Sequence, residues 1–150
     1  MTSFSSVPPS DPMSAVEAFR TAIAEGDIKG IAQAHVEDAV TIIDSISPFI
    51  WSGPAAVSNW MSSLTLHVER QGIRDGSVFY DAPITKLTDR NHQAYVALPA
   101  IWSYRAKGIA MRDTAMVAFA LRQTPAGWKI AGWSWNQSNG RRFGCPIPDV

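Results

Sequence analysis

HQAYVALPAIWSYRAKGIAMRDTAMVAFALRQTPAGWKIAGWSWNQ, residues 92–137, decides the fold. Apolar and polar side chains alternate along it with a period of two, the signature of strands that bury one face. Ala106-Lys107-Gly108 and Thr124-Pro125-Ala126-Gly127 interrupt the alternation with residues suited to tight hairpins. The pattern predicts long strands over 92–106, 111–123 and 128–137. A fourth is expected over 77–88, joined to the next through Asp89-Arg90-Asn91.

Upstream the period becomes helical. Asp11-Pro12 reads as a cap followed by a first-turn proline, and Val16, Phe19 and Ile23 then form one apolar face. Gly26 is a stop signal, and Asp27 caps a short second helix carrying Ile28, Ile31 and Ala34. Val40 to Ile43 is a short β-branched strand that Pro48 cuts off. Ser52-Gly53-Pro54 is expected to open a third helix with Val57, Trp60, Met61, Leu64 and Val68 on one face and Gly72 as its stop.

Helices first and hairpins afterwards make an α+β plan, not an alternating one. A sheet of four long antiparallel strands plus a short one must twist, so it is expected to curl into a cone around the three helices. The open end of such a cone can hold a ligand. Residues 1–10 are expected to be a disordered lead, 11–138 a single pocket domain and 139–150 an irregular tail. Lys plus Arg and Asp plus Glu number 13 each among the 150 residues. That balance lacks the basic excess of a nucleic-acid binder. No apolar run reaches the ~20 residues of a membrane span, and Met1 to Met13 lacks a signal-peptide pattern. A lone cysteine, Cys145, forms no internal disulfide, so a cytoplasmic setting is expected.

Several stretches resemble a known family, taken in order: Ala15 to Asp27, Val36 to Asp44, Trp51 to Val57, and Ala126 to Trp133. Together they are similar to the nuclear transport factor 2-like fold, a cystatin-like α+β roll, in its ketosteroid isomerase and SnoaL-like polyketide cyclase branch. The resemblance implies a homodimer and a general-base aspartate at the end of the first strand, where Asp44 falls. It also implies an oxyanion hole built from a first-helix tyrosine and a strand aspartate. Here Phe19 stands in the first place and Val117 or a neighbour in the second, with Asp113 the nearest acid.

Asp44 follows the apolar Ile42-Ile43. In an apolar cone it would be desolvated, which raises a carboxyl pKa toward the range of a working base; at a strand end it is equally a solvated turn residue. Asp113 shares a strand face with Ala115, Val117 and Phe119. It is either a cavity acid paired with Asp44 or a strand-edge charge held by a neighbour. Trp60, Trp102, Tyr104, Trp133 and Trp135 either line a pocket for a flat apolar ligand, together with Phe19 and Val117, or fill the core and a dimer face. Alternation puts Lys129 and Ala131 on the face of Trp133 and Trp135.

His35, His67 and His92 are scattered, and no ligand spacing for a metal is present. His67 could serve as a general base, but Glu69 and Arg70 beside it read as an exposed helix end. Nucleophile-elbow and phosphate-loop motifs are absent as well. The expected function is proton transfer next to a carbonyl of a small apolar cyclic molecule, needing no cofactor, with Asp44 as base and Asp113 as acid or orienter. The alternatives are a non-catalytic ligand-binding or dimerisation module of the same fold, and an accessory subunit that pairs through its sheet.

Overall fold

Oδ1 of Asp11 accepts a 2.8 Å hydrogen bond from the backbone N–H of Ser14, and this cap starts the first helix in the computed structural model, which describes residues 9–137. Helix α1 spans Pro12–Glu25 and ends on Gly26, whose φ of 65° suits a residue without a Cβ. Asp27 caps α2 (Ile28–Gln33) by accepting from Gly30 N–H at 2.9 Å. Val16, Phe19 and Ala22 of α1 and Ile31 of α2 are buried. Residues 1–8 of the expected lead, the expected tail and Cys145 lie outside the described residues.

Strand β1 (Val40–Ile43) is followed by an unanticipated return strand, β2 (Ile50–Gly53), which pairs with it antiparallel. The chain reverses through Ser47 and Pro48, so the proline marks a turn between two strands and not the end of the sheet segment. Helix α3 spans Ala56–Gln71. Gly53 closes β2 and Pro54 precedes the helix, correcting the expected start. The cap position is Ala55, which offers no side-chain bond. Gly72 ends α3 with φ 61°. Val57 and Trp60 are buried, whereas Met61, Leu64 and Val68 further along are half-buried.

Five more strands complete the sheet: β3 (Ile73–Tyr80), β4 (Thr85–Thr88), β5 (Gln93–Ala106), β6 (Ile109–Thr124) and β7 (Gly127–Gln137). The expected strand over 77–88 is two, because Pro83 between them has no N–H for a ladder. The order is β2-β1-β7-β6-β5-β3, with β4 also on β5. The sheet is mixed, where an antiparallel one was expected: β1 runs parallel to β7, with Ile42 beside Trp133. It is curled and unclosed, and α1 and α3 pack inside it. The β5–β6 hairpin turns through Lys107 and Gly108, both at positive φ (52° and 84°), as a two-residue connection of right-handed twist requires.

The inner face of β6 carries Asp113, Ala115, Val117, Phe119 and Leu121, all buried. On β7 one extra residue, Ala131, stands where Ala120 and Leu121 of β6 face Gly132 and Ile130. This bulge resets the alternation. Trp128 and Ile130 therefore join Trp133 on the buried side, and the expectation that Lys129 and Ala131 share the face of Trp133 and Trp135 fails. The ammonium of Lys129 instead donates to the carbonyl of Gln33. No helix among the described residues is long and apolar enough to cross a membrane.

Candidate functional site

Between the helices and the inner face of the sheet lies a cavity of about 110 Å³. Its walls are largely aromatic and aliphatic. Phe19 and Ile23 come from α1, Trp60 and Leu64 from α3, Val78 and Tyr80 from β3, Trp102 from β5, Val117 from β6, and Trp133 and Trp135 from β7. Room for the Trp102 ring comes from Gly76. A Cβ there would lie 2.2 Å from the indole, closer than any side chain tolerates. Trp102 stacks on Tyr104, with ring centroids 5.4 Å apart.

Four titratable side chains reach this cavity: Asp44, His67, Tyr80 and Asp113. Asp44 follows β1 directly, so alternation after the buried Ile42 turns its side chain inward. Its Oδ2 accepts from Trp60 Nε1–H at 2.9 Å and its Oδ1 from Ser45 N–H at 2.6 Å. Burial pushes the carboxyl above the ordinary aspartate range, and these two bonds pull it part of the way back. Burial likewise raises the Tyr80 phenol above its usual value, helped by the negative charge of Glu17. Tyr80 therefore keeps its proton across the neutral range.

Asp113 is 2% exposed on an internal strand, and its Oδ2 accepts from the Tyr104 hydroxyl at 3.1 Å. Its neighbour Arg112 points to solvent. His67, on the last turns of α3, is half-buried against the cavity and not an exposed helix end. Burial lowers its pKa, and the negative charge of Asp113 offsets part of that. Asp113 thus forms one polar end with Tyr104 and His67, while Asp44 forms another with Trp60. Trp60 and His67 are seven residues apart on α3, about 10 Å along the axis. Both carboxylates reach the cavity, each with its own hydrogen-bond donor. The upward shift at Asp44 is caused by burial.

A second chain of contacts runs behind the wall. His35 is 2% exposed; its Nδ1 lies 2.9 Å from the carbonyl of Ile31, and its Nε2 lies 3.2 Å from Trp133 Nε1. Trp133 meets Trp60 edge-to-face with centroids 5.0 Å apart. Phe19 touches His35, Trp60, Phe119 and Trp133, so it is core and cavity wall at once. Among the described residues no three His, Cys, Asp or Glu side chains converge as metal ligands would.

No protein-family model matches the chain, and no curated protein sequence does. Solved structures do. A nuclear transport factor 2-like superfamily protein from Salmonella enterica serovar Typhimurium LT2 matches with 13% identity and a TM-score of 0.67, over 82% of this chain and 85% of that one. The fold is nuclear transport factor 2-like. A ketosteroid isomerase-like protein from Erwinia carotovora atroseptica SCRI1043 shares it at 17% identity, 84% and 92% coverage and a TM-score of 0.62. The LinA-type3 hexachlorocyclohexane dehydrochlorinase from Novosphingobium barchaimii LL02 shares it at 8% identity, 91% and 87% coverage and a TM-score of 0.69.

Within this nuclear transport factor 2-like fold, Asp44, Asp113, Phe19, Trp60, Trp102, Val117, Trp133 and Trp135 line one cavity. Tyr104 does not line it and reaches it through Asp113. Sequence reasoning missed Tyr80 and His67 as cavity residues. The alternation Val78, Tyr80 carried a signal for the first. The seven-residue spacing from Trp60 carried one for the second.

Proposed function

We propose that the chain is a cofactor-independent pocket enzyme that moves a proton next to a carbonyl in a small, apolar, cyclic molecule. The observation that carries this reading is a desolvated carboxylate, Asp44, held by an indole N–H inside an aromatic cavity. Asp44 takes a proton from the carbon beside the carbonyl, and charge develops on the carbonyl oxygen. Tyr80, kept neutral by burial, donates a hydrogen bond to that oxygen and supplies what Phe19 cannot. Asp113, with Tyr104 and His67, binds a polar group at the far end of the ligand. Returning the proton to another carbon is isomerisation. Giving the proton to a hydroxyl on the neighbouring carbon, which leaves as water while the double bond forms, is dehydration; attack of the carbanion on a second carbonyl, whose oxygen takes the proton, is cyclisation.

The cavity favours a compact substrate. About 110 Å³ is smaller than the ~150 Å³ engineered apolar cavity that accepts benzene, so one ring fits better than a four-ring steroid. We also read the chain as a homodimer, joined through the outer sheet face where Phe79, Leu87 and Tyr95 are exposed. Incubation with small cyclic ketones in deuterated water tests the reaction class. Deuterium should enter the position next to the carbonyl with wild-type protein and not with Asp44→Asn. The apolar Val117 on the inner wall favours the second reading, a non-catalytic binding module. Saturable binding of the same ketones without exchange would decide for it.

A further inference from the structure

We propose that His35 is a positioning residue for Asp44: its neutral ring, protonated on Nδ1, fixes the Trp133 indole, which braces Trp60 against the carboxylate. The tautomer follows from the partners. The carbonyl of Ile31 can only accept, so Nδ1 carries the hydrogen. The indole nitrogen of Trp133 can only donate, so Nε2 is the acceptor. An imidazolium would leave two N–H donors facing one acceptor and a third donor, so the arrangement exists only with the ring neutral.

Packing makes the link directional. Phe19 meets the imidazole edge-to-face at 5.0 Å and also lies against Trp133 and Trp60. Trp133 can neither swing about its own bond nor slide without moving Phe19, and its edge-to-face contact then sets the plane of Trp60. Trp60, together with Ser45, is a donor that pulls the Asp44 pKa down. A ring of three carbons and two nitrogens is an expensive way to fill a core, because every buried polar atom needs a partner. Here both nitrogens have one: Nδ1 is anchored on the carbonyl of Ile31, and Nε2 faces Trp133 on the cavity wall.

Burial holds the His35 pKa down at about 4, and Lys129 of β7 adds to this. Lys29 from α2, Glu37 and Asp38 from the segment after it, and Arg122 from β6 line the groove on the other side of the ring. Arg122 and Asp38 are paired with each other at 2.6 Å. The ring therefore stays neutral at any pH well above about 4.

The proposal rests on Asp44 being the acid–base group of the cavity, and its test reads the carboxyl itself. Carboxyl-carbon NMR titration of Asp44 is compared in wild type, His35→Leu, His35→Gln and Trp133→Phe. His35→Leu and Trp133→Phe should raise the Asp44 midpoint by roughly half a unit to one unit, as the Trp60 bond loosens. His35→Gln offers an amide N–H to Ile31 and a carbonyl to Trp133, and should restore the wild-type midpoint. Long-range nitrogen NMR of the wild-type imidazole should find the proton on Nδ1 at neutral pH. It needs no variant to fold. A proton on Nε2, or equal midpoints in all four proteins, overturns the proposal. Unchanged turnover in Asp44→Asn would sink the catalytic reading alone, since the midpoint shifts do not depend on turnover.

Discussion

The indole N–H of Trp60 donates a 2.9 Å hydrogen bond to Oδ2 of Asp44, joining the second turn of α3 to the residue after β1 inside the cavity. The bond stabilises the charged carboxylate that burial disfavours, so Asp44 is kept ionisable by an indole N–H. Asp44→Asn preserves the shape and removes the proton acceptor. Turnover, or the deuterium exchange described above, should fall by ~10²–10⁴. The raised pKa means that the folded state favours the protonated acid, so the ionised form costs stability at neutral pH. The melting temperature of Asp44→Asn at pH 7 should therefore hold or rise. A clear drop would mark Asp44 as a structural cap.

Tyr80→Phe removes one hydroxyl from the cavity wall and leaves its ring against Phe119, 5.9 Å away between centroids. If that hydroxyl stabilises the developing oxyanion, kcat should fall on the order of 10² with little change in melting temperature. Steady-state kinetics on a ketone that exchanges with wild type checks this. Equal kcat in the two proteins would remove Tyr80 from the mechanism.

Trp133 and Trp135 share the inner side of β7 and should respond differently. Trp133 is 7% exposed and bonded to His35, so Trp133→Ala should cost ~3–5 kcal/mol of stability in a urea titration. Trp135 is half-buried, with its N–H on Gln137 at 2.6 Å. Trp135→Ala should leave stability nearly intact and weaken ring-compound binding by ~1–3 kcal/mol, read from tryptophan quenching. Full quenching with wild-type affinity in Trp135→Ala would remove that indole from the ligand site.

His35 titrates near 4 when folded and at 6.5 as an ordinary histidine. Between those values the unfolded chain binds the proton and the folded one does not. Stability from this residue is complete above pH 6.5 and is lost as the pH falls toward 4, by roughly 3 kcal/mol in all. Asp44 acts in the opposite direction. Comparing wild type with His35→Gln across this range isolates the histidine, and the gap between their unfolding free energies should narrow as the pH drops. A constant gap would mean that His35 is not buried neutral.

Leu87 and Tyr95 are cross-strand neighbours, and Phe79 pairs with Ile101, so exposed apolar side chains gather on the outer face of β3, β4 and β5. A dimer through this face should scatter light with twice the 16.4 kDa chain mass at micromolar concentration. Tyr95→Lys should shift the mass toward the monomer. Monomer mass in the wild type ends the dimer reading.

The helices were legible because their ends are written in local chemistry. Asp11-Pro12, Asp27, Gly26 and Gly72 act within three or four residues, and each does so here. The inward face of β6 was legible for the same reason, since alternation from Asp113 to Leu121 is unbroken. What escaped depends on contacts between distant residues. The parallel pairing of β1 with β7 joins positions about ninety residues apart, and nothing near Ile42 announces it. Asp44 stood out by its place after two isoleucines. His35 could not, because its partners Ile31 and Trp133 come together only when α2 and β7 meet. The seven-residue step from Trp60 to His67 was readable, but the charged neighbours Glu69 and Arg70 masked it.

The single extra residue at Ala131 divides β7 into two independently phased lengths. The length toward the β6–β7 turn carries Trp128 and Ile130, at 5% and 0% exposure, and anchors the core near α2. The length beyond it presents Trp133 and Trp135 to the cavity. Such a joint lets selection rework one length without disturbing the other, provided the count between them is kept. Flattening the bulge with Ala131 retained would break that rule: in regular alternation the indoles would rotate to the outer surface while Trp128 and Ile130 stayed in place. A local bulge in the strand ladder thus decides whether this sheet encloses a chamber or turns its aromatics outward.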